Sequence, residues 1–246
     1  MKRVLLLRAV KILEQWYATV KTDMRAMLRL AWEKEGEYRF MSKYDDSQMN
    51  IRLEKPEDYT AVERLTLAAF KTFTFHDGSK PERPNEHYLA HVMRDVAAFV
   101  PELDFIGESG GEIVASIMFT RSKVIRPDGS VLNTLTFGPV SVKPELHCRG
   151  LGGGIIRHSL ARACELGFGA VIIMGHPDYY PRFGFRAASC FNLTLPDGTA
   201  IEPFMALELV GGYLGTDGGR WYEDKVYEID QTAFEEWDKQ NDREDI

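Results

Sequence analysis

Residues 145–158 read ELHCRGLGGGIIRH, with four glycines in the five positions from Gly150 to Gly154. An apolar, strand-like run, LTFGPVSV (135–142), precedes the stretch, and a helical pattern continues from it to about Leu166. The next segment, AVIIMG (170–175), is apolar throughout. Strand, helix and strand in that order form a crossover, which makes the two strands parallel neighbours. Glycine at a helix start costs stability, so the backbone there is making room for something. A helix N-terminus offers unpaired N–H groups and a positive dipole end, and Arg149 adds a permanent charge that forks onto phosphate oxygens. No acidic residue follows in the first turn. The stretch is read as a phosphate or pyrophosphate cradle.

Two better-known phosphate motifs do not fit. A P-loop needs Gly-Lys-Ser/Thr, which GGGIIRH lacks. A dinucleotide fingerprint needs G-x-G-x-x-G and an acidic residue about 20 positions on, whereas the next acid beyond the following strand is Asp178. The strand before the cradle points elsewhere. Gly138-Pro139 sits in its middle, and proline cannot donate to a ladder, so a bulge is expected there. A bulged strand splays from its parallel neighbour and leaves unpaired backbone groups at Val140 and Val142. An extended, amide-containing ligand can pair with those groups as a strand would. An amide-pairing edge that leads to a pyrophosphate cradle describes coenzyme A.

Working outward, NIRLE (50–54) is a short strand, and Pro56 and Glu57 open a helix at a position that favours proline. The loop TFHDGSKPERPN (74–85) and a second helix over about 86–96 follow. DFIGESGGEIVASIMFTRSKV (104–124) reads as two strands joined by a Gly-Gly hairpin, and RPDGS (126–130) turns the chain into a strand over about 131–142. Strands recur around NLTL and FMALEL, and TAFEEWDKQ suggests a short last helix. The fold class is α/β (α+β): a mixed, mostly antiparallel twisted sheet with one splayed parallel strand pair and flanking helices.

The 246 residues are 44% hydrophobic, enough for one sizeable core, and no stretch reaches the roughly 20 apolar residues of a membrane span. Cys148, Cys164 and Cys190 are few, odd in number and without CxxC spacing, which favours a cytoplasmic setting over a disulfide framework or a metal site. Formal charge is +3 over residues 1–49, −3 over 50–221 and −7 over 222–246. A mildly acidic middle argues against nucleic acid as a partner. Three units are therefore expected: an N-terminal helical extension (1–49), a catalytic domain (50–221) and an acidic C-terminal segment (222–246). In the extension, Leu13, Trp16, Tyr17, Val20, Met24, Met27 and Leu28 recur at helical spacing opposite Arg8, Lys11, Lys21, Arg25 and Arg29. Such a helix suits peripheral membrane contact, a docking partner or packing on its own domain. Alternatively the stretch is upstream sequence, with the domain beginning at Met49.

Taken with these patterns, the sequence resembles the GNAT superfamily of N-acetyltransferases, whose phosphate motif runs Gln/Arg-x-x-Gly-x-Gly/Ala. The matching residues here are His147, Cys148, Arg149, Gly150, Leu151 and Gly152. The segments TFGPVSVKPELHCRGLGGGIIRHSL, GHPDYYPRFGF and FMALELVGGYL resemble the YhbS-like branch in order and spacing, and the similarity covers about residues 50–225. Two positions depart from the motif: His147 replaces Gln or Arg, and Cys148 stands where glycine is common. The resemblance implies acetyl-CoA as acyl donor, bound by Val140, Val142, His147, Cys148, Arg149, Gly150, Leu151, Gly152 and Gly153, and an amine of a small molecule or protein as acceptor. A thiol at a helix start is a candidate redox or acyl-accepting group, or else a small filler.

In the family a tyrosine precedes Gly-Phe by four positions, which is Tyr180. A phenol of pKa about 10 stays protonated at neutral pH and can donate to a departing thiolate. Tyr179 is the alternative donor, and Tyr180 could instead be an aromatic packing residue. The Val140 N–H would polarise the thioester carbonyl. His176 is read as a turn cap, and His76, Asp77 and Glu145 are undiscriminated candidates for a general base. Acyl transfer to an amine by direct attack in a ternary complex is the expected function. The alternative is an acyl-CoA-binding sensor or scaffold without turnover.

Overall fold

The structure is a computed structural model that describes residues 49–72 and 83–241. The expectations for residues 1–48, and for His76 and Asp77 as base candidates, lie outside the described residues.

A single sheet organises the domain. Its strands are β1 (Asn50–Leu53), β2 (Phe105–Ser109), β3 (Glu112–Ile125), β4 (Val131–Val142), β5 (Ala170–Met174), β6 (Arg186–Ala187), β7 (Leu193–Thr194), β8 (Phe204–Glu208) and β9 (Gly219–Tyr222). They run in the order β1-β2-β3-β4-β5-β8-β6, with β9 pairing both β3 and β7. Neighbours along that path are antiparallel except β4 and β5, which are parallel. Gly110 and Gly111, both at positive φ, close the β2–β3 hairpin as the sequence predicts.

The described residues contain four α-helices: α1 (Tyr59–Lys71), α2 (Glu86–Met93), α3 (Leu151–Glu165) and α4 (Gln231–Asn241). Alternation along the strands sorts them between two faces. On one face Phe105, Ile117, Phe119, Leu135 and Phe137 form the main core with Leu151, Ile155 and Ile156 of α3. Ile155 and Phe119 are 0% exposed, and full burial of such side chains stabilises by about 1.5–3 kcal/mol each. On the other face, α1 meets β4 through a hydroxyl pair, Ser141 Oγ donating to Thr66 Oγ1 at 3.0 Å. There Met118 packs with Leu89, Ala90 and Met93 of α2, while Val124 packs with Trp221, Phe191 and Phe204.

Helix α2 ends at Met93, short of the expected residue 96. There the backbone passes into i→i−3 turns, Asp95 N–H to Val92 O and Val96 N–H to Met93 O, both at 3.3 Å, and the side chain of Arg94 enters a buried ion-pair network. Its guanidinium donates to both oxygens of Glu54 (2.9 and 2.7 Å) and to Glu63 (2.8 Å), and lies 4.1 Å from the centre of the Tyr59 ring. Asp104 shares this interior, and burial and the hydrogen-bonded Glu54 push its carboxyl up to about 9. Residues 222–241 return to the domain: α4 packs on α2, with Phe234 fully buried and Asp238 bonded to His87 at 3.2 Å and to Arg83. Among the described residues no helix is long and apolar enough to cross a membrane.

Candidate active site

The Gly138-Pro139 pair does what its residue types imply. In the β3–β4 ladder Ile117 faces Val140 and Phe119 faces Phe137, so Gly138 and Pro139 together oppose Met118 alone. That is a bulge, and Gly138 takes φ 151°, open to glycine because it has no Cβ. Beyond the bulge β4 no longer pairs with β5: the parallel ladder is recorded only at Leu135 and Val171. The gap therefore has its vertex near Leu135 and opens toward Val142.

Backbone direction within the gap follows from the ladder. The Lys143 N–H donates to Val114 O at 2.9 Å, which makes Lys143 and Val114 a hydrogen-bonded pair. Alternation then directs the N–H and C=O of Val142 and Val140 away from β3 and into the gap. One of these four groups is already engaged, contrary to the expectation that Val142 is unpaired. The His147 ring donates from Nε2 to Val142 O at 2.8 Å, so His147 braces the mouth of the gap.

The chain next turns through Pro144–Leu146 into the cradle. Cys148 takes φ 61°, a left-handed conformation that glycine adopts without strain, and Gly150 caps α3 at φ 92°. The cap has no side-chain hydrogen bond among the described residues, and no acid lies in the first turn. Gly154 N–H is bonded back to Gly150 O at 2.9 Å, leaving the N–H groups of Leu151, Gly152 and Gly153 directed outward at the helix start. A Cβ on Gly152 would stand 3.3 Å from the Tyr179 hydroxyl and 3.4 Å from Val142 Cγ2, and one on Gly153 would stand 3.0 Å from Arg157 Nη1. Arg149 is exposed at the rim.

Sequence reading passed over two guanidinium groups at this end. Arg157 reaches back over Gly153 and lies 5.2 Å from the Phe183 ring centre, and Arg182 lies 4.5 Å from that of Tyr179. The i, i+4 spacing of Gly153 and Arg157 was the available signal.

Tyr180 opens the turn Tyr180–Phe183 just beyond β5. Its ring lies against Phe137 (5.8 Å) and Phe185 (5.7 Å) and fills the space over Gly175, where a Cβ would collide with it. Burial first, and the neighbouring Tyr179 second, push its phenol above the ordinary range, so it holds its proton at neutral pH. Tyr180 thus stands at the vertex on the α3 side, whereas the Tyr179 hydroxyl stands over Gly152 at the cradle. His176 Nδ1 accepts the Asp178 N–H at 3.3 Å, as a turn cap does. Glu145 is exposed on the turn between β4 and the cradle, at the open end of the gap rather than at its vertex.

No family model matches the chain. Among curated proteins it is similar to YjhQ of Escherichia coli K12, named an uncharacterized N-acetyltransferase: 33% identical over 99 residues, 40% of this chain. That match spans about half of YjhQ, 53% of its length. It is also similar to the uncharacterized N-acetyltransferase YhbS of the same strain, 26% identical over 145 residues, 59% of this chain and 78% of YhbS. The crystal structure of E. coli YhbS in complex with CoA superposes with a TM-score of 0.63 at 22% identity, covering 74% of this chain and 93% of that one. A GNAT acetyltransferase from Brucella melitensis in complex with acetyl-CoA gives 0.54 at 25%, covering 73% and 97%. By sequence the chain is thus similar to the uncharacterized N-acetyltransferases YjhQ and YhbS, and its fold is that of the CoA-bound YhbS structure.

Proposed function

We propose that the protein transfers an acetyl or other short acyl group from acyl-CoA to an amine, by direct attack in a ternary complex. The observation that carries this reading is the continuity of the gap with the cradle. Backbone groups of Val140 and Val142 point into an opening that ends at the bare N-terminus of α3. The pantetheine amides would pair along β4, and the pyrophosphate would meet the N–H groups of Leu151, Gly152 and Gly153, with Arg149, Arg157 and Arg182 around it. The solved relatives bound to CoA and acetyl-CoA support the same ligand.

The chemistry follows from what stands at the vertex. The Val140 N–H donates to the thioester oxygen as charge develops there; removing one such donor typically costs about 10²–10³ in rate. The amine nitrogen forms a bond to the carbonyl carbon while the carbon–sulfur bond breaks and its electron pair goes to sulfur. Tyr180, still protonated, supplies the proton that sulfur takes up, while the new amide nitrogen loses a proton to solvent and solvent returns one to Tyr180.

A thermal-shift comparison tests the reading. Acetyl-CoA binds only the folded state and is expected to raise the melting temperature, with NADH and ATP doing much less. Equal stabilisation by NADH would remove coenzyme A as the ligand.

A further inference from the structure

The gap between β4 and β5 is bounded more tightly on one face than on the other. Counting on from the Leu135–Val171 pair, Phe137 stands level with Ile173, the Gly138-Pro139 bulge with Met174, and Val140 with Gly175. Alternation along β5 sends Ile173 to the α3 face, where it joins the main core, and sends Met174 to the opposite face, as it does Ile172.

On the α3 face rings close over this level. Phe137 lies 5.1 Å from Phe119, 5.8 Å from Tyr180 and 6.0 Å from Phe185, measured between ring centres. A Cβ on Gly175 would collide with the Tyr180 ring and stand 2.8 Å from Ile173 Cδ1, so those two side chains meet over Gly175. Phe137 is 7%, Phe185 2% and Ile173 1% exposed, whereas Met174 is 45% exposed at the end of β5.

The thioester's own geometry says which way its acyl chain faces. The carbonyl carbon is planar, and its oxygen, its sulfur and its acyl chain point in three different directions. Oxygen faces the Val140 N–H on β4. Sulfur lies toward the mouth of the gap, because the pantetheine arm enters there. The acyl chain takes the remaining direction, toward β5 and the vertex, where Phe137 and Ile173 face one another across the narrowing gap.

We infer that Phe137 and Ile173 measure the acyl chain: the site takes a short, uncharged acyl group, acetyl or propionyl, and turns away longer and acidic ones. This rests on the acyl-transfer reading above. Strands β4 and β5 are apart at Val140 and paired at Leu135, and paired strands stand about 4.8 Å from one another, too close for a chain to lie between them. From Gly175 back to Ile173 is two residues, roughly 7 Å along the strand. A methyl group ends short of the Phe137–Ile173 level, whereas a hexanoyl chain runs into it. Phe137 cannot swing aside, because Phe119, Tyr180 and Phe185 hold its ring in a close-packed interior. A succinyl group would bring a carboxylate against Phe137, Ile173, Tyr180 and Phe185, none of which carries a charge to pair with it.

Affinities of the full chain for acetyl-CoA, hexanoyl-CoA and succinyl-CoA, measured by calorimetric titration, test the inference. Wild type should bind acetyl-CoA about tenfold or more tightly than either of the others. Phe137→Ala should bring hexanoyl-CoA close to acetyl-CoA while succinyl-CoA gains nothing, since the change adds space and no cation. Phe137→Leu keeps more of the packing and should give a smaller gain of the same sign, which decides the matter if the alanine variant does not fold. Met174→Ala, on the opposite face, should leave both ratios as they are. Equal wild-type affinity for acetyl-CoA and hexanoyl-CoA, or equal rates of CoA release from them to propylamine, a simple primary amine, overturns the inference and leaves acyl transfer standing. A hexanoyl gain in Met174→Ala and not in the Phe137 variants overturns it too, by putting the chain on the other face. An equal gain for succinyl-CoA in Phe137→Ala does the same, since it would mean loosening without selection. If neither free CoA nor any of the thioesters binds wild type, the acyl-transfer reading falls as well.

Discussion

The two sides of the β4 vertex are built by opposite means. The proposed donor side is one continuous stretch, Gly138 to Gly153, and it is built from backbone: a bulge, two left-handed residues and a bare helix start. The opposite face gathers Thr120 from β3, Thr136 from β4 and Tyr227 from the C-terminal segment, and it is built from side-chain hydrogen bonds. A backbone site tolerates changes that leave φ and the amide directions intact, which is consistent with His147 and Cys148 standing where the GNAT phosphate motif usually has other residues. A network of side-chain hydrogen bonds has no such slack, since one substitution there leaves a buried partner unpaired.

The largest effect expected from breaking this comparison lies between the two sides, at Tyr180. Tyr180→Phe keeps the ring against Phe137 and Phe185 and removes only the proton. Turnover should fall by roughly 10²–10⁴ while acetyl-CoA affinity stays near wild type, because the hydroxyl acts as charge develops on sulfur. Tyr179→Phe should act differently: its hydroxyl stands over Gly152, so any loss should fall on the KM for acetyl-CoA. Steady-state kinetics of both variants separates the roles, and a fully active Tyr180→Phe enzyme would refute the assignment.

Next in size is the donor cradle itself. Gly150→Glu forces a side chain into φ 92° and puts a negative charge at the helix start. Acetyl-CoA binding should weaken by more than tenfold, equivalent to about 1.4 kcal/mol. Arg149→Ala should lose less, and the loss should shrink at high salt because the exposed charge is screened. Calorimetric titration at two salt concentrations checks both; unchanged affinity in Gly150→Glu would move the phosphate site away from this loop.

The same division explains what the sequence disclosed. The bulge, the hairpin and the glycine cap were legible because Gly138, Pro139, Gly110, Gly111 and Gly150 constrain their own backbone. The long strands β3 and β4 were legible from their apolar runs. Strands β6 and β9 were not, since two to four residues carry no usable alternation. Helix α2 was drawn too long because residues 94–96 are helix-compatible locally, and only the folded chain shows them in i→i−3 turns. Thr120, Thr136 and Tyr227, which share one hydrogen-bonded cluster, are up to 107 residues apart and ordinary in composition, so no local pattern marks them.

A smaller effect is expected away from both sides, in the Arg94 network. The Asp104 carboxyl is raised to about 9 from an unfolded value near 3.9, so the folded protein holds a proton there that the unfolded chain loses. Where the native state binds more protons, stability falls as pH rises, here between about pH 4 and pH 9. Asp104→Asn keeps a donor for Glu54 without the proton dependence. Its melting temperature should exceed that of wild type by a few degrees at pH 8.5, roughly 2–4 °C per kcal/mol for a chain of this size, and the two should converge near pH 5. Turnover with propylamine should be close to wild type, which separates this network from the vertex.

The smallest effect belongs to Cys148 and bears most directly on how a backbone site tolerates change. At φ 61° a residue with a Cβ costs about 1–2 kcal/mol relative to glycine. Glycine also gives the unfolded chain more freedom, which offsets roughly 0.4–1 kcal/mol of the relief. Cys148→Gly should therefore stabilise the fold by about 1 kcal/mol or less, the difference of those two terms. The amide directions of the cradle should not change, so acetyl-CoA affinity should stay within a few-fold of wild type. Cys148→Val adds a second branch at the same φ and should destabilise instead, since β-branched residues fit the left-handed region worst. Chemical denaturation of the three proteins reads the order Gly, Cys, Val directly. If valine at position 148 proved as stable as cysteine, the turn would have to leave the left-handed conformation, and the cradle would no longer be a site fixed by its backbone.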